Sequence, residues 1–238
     1  MNAPIFFGFR FGKLFSEDQD AVLTANSLWC SLYFTFFREI DNPSSYGEFV
    51  EKTAPALDLQ NSAHCAELLK WLNRWNCRIA LDRFSELCSR LRKWAAEQNF
   101  HTLPQGIAML DDSHLDQLTS AYDGLRGCGL GATPAGKSLF AACPTCAIPW
   151  DEEIRTEFVL GENSSGYRGM LKVSREEANI LLTDASRLGI PDVFNAIGSP
   201  AYTTLPKLLD EYHWITITRG HHIPSKDELE QWIPWVAK

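Results

Sequence analysis

The central stretch of the sequence, residues 125–155, is LRGCGLGATPAGKSLFAACPTCAIPWDEEIR. It contains Gly127, Gly129 and Gly131 between two stretches in which apolar residues recur at helical spacing. Glycine adopts backbone conformations that other residues avoid, so this spacing predicts a tight bend. Two incompatible interpretations of the stretch follow, and they differ in whether a strand or a helix leads into the bend.

Helical periodicity extends on both sides of the bend. Upstream, apolar residues recur three and four positions apart over residues 68–75, 81–95 and 115–125. Downstream, Ser174 and Glu177 have the spacing of a capping box and predict the start of another helix there. Residues 214–218, WITIT, predict one strand, but an isolated strand cannot form a sheet.

The sequence therefore predicts an all-α fold, a helical bundle. We expect residues 1–238 to form a single helical domain, in which two lobes, residues 1–110 and 111–238, lie around a cleft. The chain is long enough to bury one sizeable core. Its composition, with 45% apolar and 22% charged residues, is typical of a folded globular protein.

The chain is acidic overall, with a formal net charge of −8. Proteins that bind duplex nucleic acid usually present a basic face, because Lys and Arg displace counterions from the phosphates. The overall charge therefore counts against nucleic-acid binding. Any such site has to be a local basic patch on an acidic body.

The cysteine content and the N-terminus point to the cytoplasm. Seven cysteines, an odd number, do not match the disulfide framework of a small secreted domain. Residues 1–15 lack the pattern of a signal peptide, and no apolar run approaches the length of a membrane span. We expect a cytoplasmic protein with no membrane association. Cys143 and Cys146 form only half of a zinc-ligand pattern, so we expect buried thiols there and no cofactor.

In the first interpretation of the bend, Gly131–Ser138 is a nucleotide-binding loop. The residues GATPAGKS match G-x-x-x-x-G-K-[ST], in which backbone N–H groups surround phosphate oxygens and the serine binds magnesium. That chemistry requires a buried strand leading into the loop. The preceding residues 120–130, SAYDGLRGCGL, have no β-branched run. The loop therefore stays the less favoured alternative.

In the second interpretation, which we favour, the bend joins two helices. Gly129 and Gly131 surround one aliphatic residue, and a small residue, Ala135, follows four positions later. Thr133 can cap the second helix, and Pro134 suits its first turn. Glycines at such a bend let the backbone approach a ligand closely, and N–H groups at a helix N-terminus can bind a phosphate.

This arrangement resembles the helix-hairpin-helix motif of base-excision DNA glycosylases. In that superfamily the second helix is followed by a loop that contains a catalytic Asp, within the pattern apolar-Asp-x-x-aliphatic and with an Arg close behind. The sequence WDEEIR, from Trp150 to Arg155, matches this pattern at a distance from Gly131 that agrees with the superfamily. The resemblance covers residues 125–155 and implies that Asp151 is the catalytic carboxylate.

The resemblance also implies the kind of chemistry. Asp151 would stabilise the positive charge that develops on the sugar as the base departs, and would orient the attacking water. Superfamily members that also cleave the strand have a Lys two residues after the second glycine, to form a Schiff base. Here that residue is Thr133, which implies a monofunctional enzyme, and Lys137 begins one turn too far away to substitute. A further departure is Gly127, at a position that is normally apolar.

Asp151 also has a simpler structural interpretation, as the N-cap of a helix. Asp151 begins the stretch DEEI, which is typical of a helix start, so we also expect its carboxylate to be an N-cap. The two roles are compatible in geometry. The residues expected to contact nucleic acid are Gly129, Gly131, Thr133, Lys137, Arg219 and His222.

Three function hypotheses result. The first is a DNA-glycosylase-like helix-hairpin-helix protein that acts on damaged or modified DNA bases and is at most a monofunctional N-glycosylase. The second is a non-catalytic helical protein on the same scaffold that binds nucleic acid or protein. The third is a nucleotide-binding protein that uses Gly131–Ser138.

Overall fold

A computed structural model gives the fold of residues 44–187, 192–196 and 202–220. Every regular element within these residues is helical, so the predicted all-α class is confirmed. None of the described helices is both long and apolar enough to cross a lipid bilayer. The α-helices are α1 (Ser44–Lys52), α2 (Ser62–Arg74), α3 (Phe84–Ala96), α4 (Asp112–Gly127), α5 (Ala132–Ala142), α6 (Glu152–Glu157), α7 (Ser164–Arg187), α8 (Val193–Ala196) and α9 (Leu205–His213). Short 3₁₀ turns lie at Leu81–Arg83, Phe100–Thr102 and Ile107–Met109, and a π-helical turn, Trp214–Thr218, continues α9.

Helices α4 and α5 lie on either side of the glycine-rich bend. Asp111 caps α4, because its Oδ1 accepts a hydrogen bond from the His114 N–H at 2.9 Å and His114 Nδ1 accepts one from the Asp111 N–H at 3.2 Å. Residues 128–131 then connect α4 to α5, so two helices joined by a short bend are confirmed. That the bend is a helix-hairpin-helix motif stays a prediction. The apolar stripe of α4 is buried at Leu115, Leu118, Tyr122 and Leu125.

The nucleotide-binding interpretation of Gly131–Ser138 is wrong. Helix α4 leads into the bend where a phosphate-binding loop requires a strand, and the last residues of the pattern lie inside α5. Ser138 is fully buried, so its hydroxyl is not available to a magnesium ion in solvent. A backbone wound into a helix directs its N–H groups along the helix axis, so it cannot surround a phosphate.

The core is one cluster of buried side chains that extends from α1 to α9. Helix α4 packs against both α5 and α7. The rings of Tyr122 on α4 and Tyr167 on α7 stack with their centroids 4.4 Å apart, and the ring of Trp150 meets both of them edge-on. Buried residues before and after residue 110 belong to the same cluster, and the division into two lobes stays a prediction.

Two local predictions downstream of the bend are wrong. Ser174 does not begin a helix but lies fully buried within α7. The side chain that caps the start of α7 is instead that of Asn163, whose Oδ1 accepts a hydrogen bond from the Gly166 N–H at 3.0 Å. Trp214–Thr218 is a π-helical turn and not a strand. No described segment offers this stretch a strand to pair with, so its backbone groups are satisfied by continuing α9.

Candidate functional site

The bend between α4 and α5 exposes two glycines. Gly129 has a φ of +94°, in the left-handed region that side chains disfavour, so the turn requires glycine. Leu130 is buried and anchors the bend to the core. Gly131 is the N-cap of α5 and gives the helix no side-chain cap. An uncapped first turn leaves backbone N–H groups that can bind an anion, as the sequence predicts for this bend.

Two arginines lie against the bend: Arg83 ends the 3₁₀ turn before α3, and Arg90 lies in the middle of α3. A methyl group added to Gly129 would lie 3.1 Å from Arg83 Nη2 and 3.5 Å from Arg90 Nη1. Arg90 Nη1 donates to the Cys128 carbonyl at 3.4 Å, and Arg90 also forms an ion pair with Glu86. The helical periodicity of residues 81–95 does not predict that Arg83 and Arg90 contact the bend. Only the packing of the helices shows that both arginines approach the same bend.

Asp151 is the N-cap of α6, so this structural prediction is confirmed. Its Oδ1 accepts a hydrogen bond from the Ile154 N–H at 3.0 Å. Burial raises the pKa of Asp151, and the nearby carboxylates of Asp210 and Glu153 add to the rise. The Ile154 N–H and the ammonium of Lys137 oppose it. The Asp151 carboxylate is half-buried, and charged groups of both signs act on it.

The segment around Asp151 is fixed to α5. Trp150 Nε1 donates to the Ala132 carbonyl at 3.2 Å, and its indole covers Gly136 so closely that a Cβ there would lie 2.6 Å from the ring. Arg155 Nη1 donates to Thr133 Oγ1 at 3.0 Å. These contacts tie both flanks of Asp151 to the helix that follows the bend. Thr133 therefore has a defined structural partner.

Lys137 interacts electrostatically with the same carboxylate. Its Nζ donates to the Trp75 carbonyl at 3.2 Å and lies 5.0 Å from the centroid of the Trp75 ring. The ammonium also interacts electrostatically with Asp151 and Asp210. Lys137 is thus fixed against Trp75 and acts on Asp151 only through its charge.

Helix α9 adds residues that the sequence does not predict. Lys207 Nζ lies 5.0 Å from the Trp75 ring centroid, 3.3 Å from Asp210 Oδ2 and 2.8 Å from Glu211 Oε1. Asp210 is only 9% exposed. Burial raises the pKa of Asp210, whereas the neighbouring lysines Lys207 and Lys137 lower it. The only hint in the sequence is the set of charged residues at helical spacing within residues 207–211. Such a pattern usually indicates a solvent-exposed helix face and not a buried ion pair.

The remaining predicted contacts differ in outcome. Arg219 is exposed, and its guanidinium lies 4.5 Å from the Trp214 ring centroid. The π-helical turn just before it packs against α6, the helix that Asp151 caps. His222 lies outside the described residues.

Two surface cavities of the described residues lie elsewhere. One, of about 480 Å³, lies between α1, α2 and the start of α3, and the other, of about 320 Å³, lies beside the loop that follows α5; neither is lined by Asp151. Cys143 and Cys146 border the second, and both residues are buried, as predicted. Within the described residues no three His, Cys, Asp or Glu side chains are placed to share a metal ion.

Comparison with protein-family models, curated proteins and solved structures found no match to this chain. The structure brings Lys137 and Lys207 together over the ring of Trp75, with Asp210 beside Lys207. Lys137 and Asp210 also act electrostatically on Asp151.

Proposed function

We propose that this chain is a DNA-glycosylase-like enzyme, a monofunctional N-glycosylase that hydrolyses the bond between a damaged or modified base and its deoxyribose. The observation that supports this most is the setting of Asp151. The carboxylate is half-buried and is held against the helix after the bend by Trp150 and Arg155. Lys137 interacts with it electrostatically.

The proposed chemistry uses Asp151 in its ionised form. As the base departs with the electron pair of the glycosidic bond, positive charge develops on the sugar, and a nearby carboxylate stabilises that charge. A water molecule then adds to the sugar carbon and gives up a proton, for which Asp151 is the acceptor. Partial burial strengthens the attraction between carboxylate and sugar, because little water screens it.

The proposed DNA contact is the bend together with Arg83 and Arg90. Backbone N–H groups at the start of α5 can donate to one phosphate. The two guanidinium groups beside Gly129 supply positive charge at the same place. Arginine is well suited to this contact, because its planar group can donate two parallel hydrogen bonds to a phosphate. An acidic body with a basic patch at the bend would bind DNA in one orientation.

The absence of strand cleavage follows from Thr133 and Lys137. Thr133 has no amine, and its hydroxyl accepts a hydrogen bond from Arg155. The Lys137 amine donates to the Trp75 carbonyl, and a Schiff base would require that ammonium to leave this contact and lose a proton. The product of the proposed reaction is therefore an abasic site in an intact strand.

The test is base release from duplex oligonucleotides that contain uracil, hypoxanthine, an alkylated purine or an oxidised purine. Binding is measured separately, on a duplex with a tetrahydrofuran abasic analogue. We expect release of at least one base, with the strand intact until alkali is added. Asp151→Asn should lower the release rate by about 100-fold or more while leaving the affinity for the abasic duplex unchanged.

Glu157→Gln is the matched control, because Glu157 is an exposed carboxylate at the other end of α6. This variant should release the base at the unmodified rate. Failure of the unmodified chain to bind the abasic duplex at low salt would overturn the proposal. If it binds but neither it nor Asp151→Asn releases any base, a non-catalytic nucleic-acid-binding protein on the same scaffold replaces the enzyme. A chain that does not bind the duplex leaves the non-catalytic protein-binding hypothesis, which the net charge of −8 favours.

A further inference from the structure

We propose that Cys143 and Cys146 are a redox-active dithiol, which a small uncharged organic disulfide oxidises to a disulfide bond across the turn that follows α5. The two residues form the pattern C-x-x-C in the sequence, and the proposed base release makes no use of them. Both are free cysteines that border the cavity of about 320 Å³. Asp151 does not line this cavity, so the chemistry of the thiols is independent of base release.

The backbone brings the two cysteines within reach of each other. Cys143 is the C-cap of α5, and its carbonyl accepts hydrogen bonds from the Cys146 N–H at 3.0 Å and from the Ala147 N–H at 2.9 Å. The first of these bonds closes a four-residue turn, in which the two end Cα atoms lie less than about 7 Å apart. A disulfide spans Cα separations of about 4.4–6.8 Å, so the turn suits a bond between its two end residues.

The cavity gives a small molecule access to thiols that are otherwise buried. Cys143 is 6% exposed and Cys146 is 1% exposed, yet both contribute to the cavity wall. The described residues that line this cavity include no Asp, Glu, Lys or Arg. Such a wall offers no ion pair to a charged ligand, and an anion would also face an acidic chain with a net charge of −8. An uncharged disulfide therefore fits the cavity best.

Cys146 is the attacking thiol of the pair. Thr145 Oγ1 lies 3.7 Å from Cys146 Sγ, and its hydroxyl can donate to the thiolate. Burial raises the pKa of the Cys146 thiol, and this hydrogen bond opposes the rise. Burial holds the pKa of the Cys143 thiol well above its usual value, and the neighbouring Cys146 adds to that rise. The thiolate, which is the nucleophile in disulfide exchange, therefore forms more readily at Cys146.

The oxidation consists of two exchange steps. The Cys146 thiolate, having lost its proton to solvent, attacks one sulfur of the small disulfide R–S–S–R, forms a mixed disulfide and expels RS⁻. The Cys143 thiol then loses its proton and attacks Sγ of Cys146, which forms the Cys143–Cys146 bond and expels a second RS⁻. Each RS⁻ takes up one proton. Two electrons thus pass from the cysteines to the small disulfide, and the products are one protein disulfide and two molecules of RSH.

The reduced form has one contact that the disulfide lacks. Cys146 Sγ donates to the Pro104 carbonyl at 3.1 Å, and the proton of this hydrogen bond is lost when the sulfur is oxidised. Because the loss of a buried hydrogen bond disfavours the disulfide, we expect an excess of small thiol to reverse the oxidation. Pro104 lies in the connection between α3 and α4, so oxidation also removes one link between that connection and the turn after α5.

The experiment uses the full chain, reduced and then freed of reductant, with 2-hydroxyethyl disulfide as the probe. The remaining thiols are alkylated and the chain is digested with trypsin, which releases residues 138–155 as one peptide with both cysteines. We expect this peptide to be unalkylated and lighter by two hydrogen atoms, and to be alkylated at both cysteines after treatment with excess dithiothreitol. The rate should rise about tenfold per pH unit above neutrality, because burial keeps the pKa of both thiols raised.

Three variants test the order of the two steps. Cys143→Ser should stop the reaction at the mixed disulfide, with one hydroxyethylthio group on Cys146. Cys146→Ser should gain no such group under the same conditions, and an adduct on Cys143 would contradict the assignment of the attacking thiol. Cys77→Ser is the matched control, because Cys77 does not line the cavity, and its 138–155 peptide should be oxidised at the unmodified rate.

The unmodified chain alone can overturn the inference, even if a variant fails to fold. A 138–155 peptide that stays fully alkylated does so, as does a mixed disulfide that never closes. A bond from Cys143 or Cys146 to a third cysteine would also contradict the proposed pair. The dicarboxylate 3,3′-dithiodipropionate should react more slowly than 2-hydroxyethyl disulfide, and an equal or faster reaction would exclude the assignment of an uncharged substrate.

Discussion

The groups around Asp151 have opposite effects on the protonation of its carboxyl group. Burial favours the protonated carboxyl, whereas the Ile154 N–H and the Lys137 ammonium favour the ionised one. The ionised form is the stronger N-cap acceptor and the form that the proposed reaction needs. One side chain can therefore both begin α6 and take part in catalysis, provided that the pH is high enough to ionise it.

The pH dependence of base release follows from this balance. Burial raises the pKa of Asp151 above the ordinary value of 3.8. Because the ionised form is the active one, the rate should be high above the raised pKa and fall as the pH drops through it. The measurement is single-turnover base release from mildly acidic to neutral pH. A rate that increases on acidification, or that is constant down to the ordinary Asp range, would contradict the assignment.

At the scale of elements, the contact between α5 and the loop before α6 determines where Asp151 lies. Gly136 is inside α5, where glycine is an unfavourable helix residue. Its missing Cβ makes room for the indole of Trp150, which is fully buried and hydrogen-bonded to Ala132. The unfavourable helix propensity of Gly136 is thus offset by the close packing of the Trp150 indole, which fixes the position of the adjacent Asp151.

Gly136→Ala should therefore destabilise the protein, although alanine is the better helix former. The added Cβ would lie 2.6 Å from Trp150 Cδ1, and forcing the indole aside should lower the free energy of unfolding by about 1–3 kcal/mol. Urea unfolding measures the change. Gly127→Ala is the matched control, because Gly127 ends α4 with nothing within 4 Å of its Cβ position, and it should be neutral or stabilising by up to about 1 kcal/mol. Equal stability of the two variants would contradict the packing argument.

At the scale of the whole molecule, charge is distributed unevenly around the bend. The chain has 30 acidic residues against 22 Lys and Arg. Arg83 and Arg90 nevertheless point to the backbone of Gly129 and Cys128. An acidic body repels DNA in most orientations, so the affinity should depend strongly on this one patch and on the salt concentration.

Replacement of both arginines tests this dependence. Arg83→Ala with Arg90→Ala should weaken binding to the abasic duplex and should reduce the slope of log affinity against log salt by about one for each phosphate that the protein no longer neutralises. Fluorescence anisotropy over a salt series measures both quantities. Arg92→Ala is the control, because Arg92 is exposed on the same helix and is not among the atoms near Gly129. An identical slope in the double variant and the control would exclude the patch as the DNA-binding surface.

The sequence predicts an element well where the signal is local. The stripe from Leu115 to Leu125 and the cap at Asp111 give α4, because helix periodicity and capping depend on residues only a few positions apart. The same local rule fails at Ser174, where the pattern of a cap lies within a helix that had already begun at Ser164. It also fails at Trp214–Thr218, where β-branched residues continue a helix.

The sequence alone determined a bend between two helices, with Asp151 beginning the next one, because glycines, a Pro and a capping carboxylate restrict the backbone within a few residues of themselves. Only the tertiary structure decided which charges surround that carboxylate. Asp210 acts on it electrostatically from α9. Arg83 reaches the bend from the 3₁₀ turn before α3, and Arg90 reaches it from α3. Contacts between residues so far apart in the chain depend on how helices pack against the shared core, and no short pattern specifies that packing.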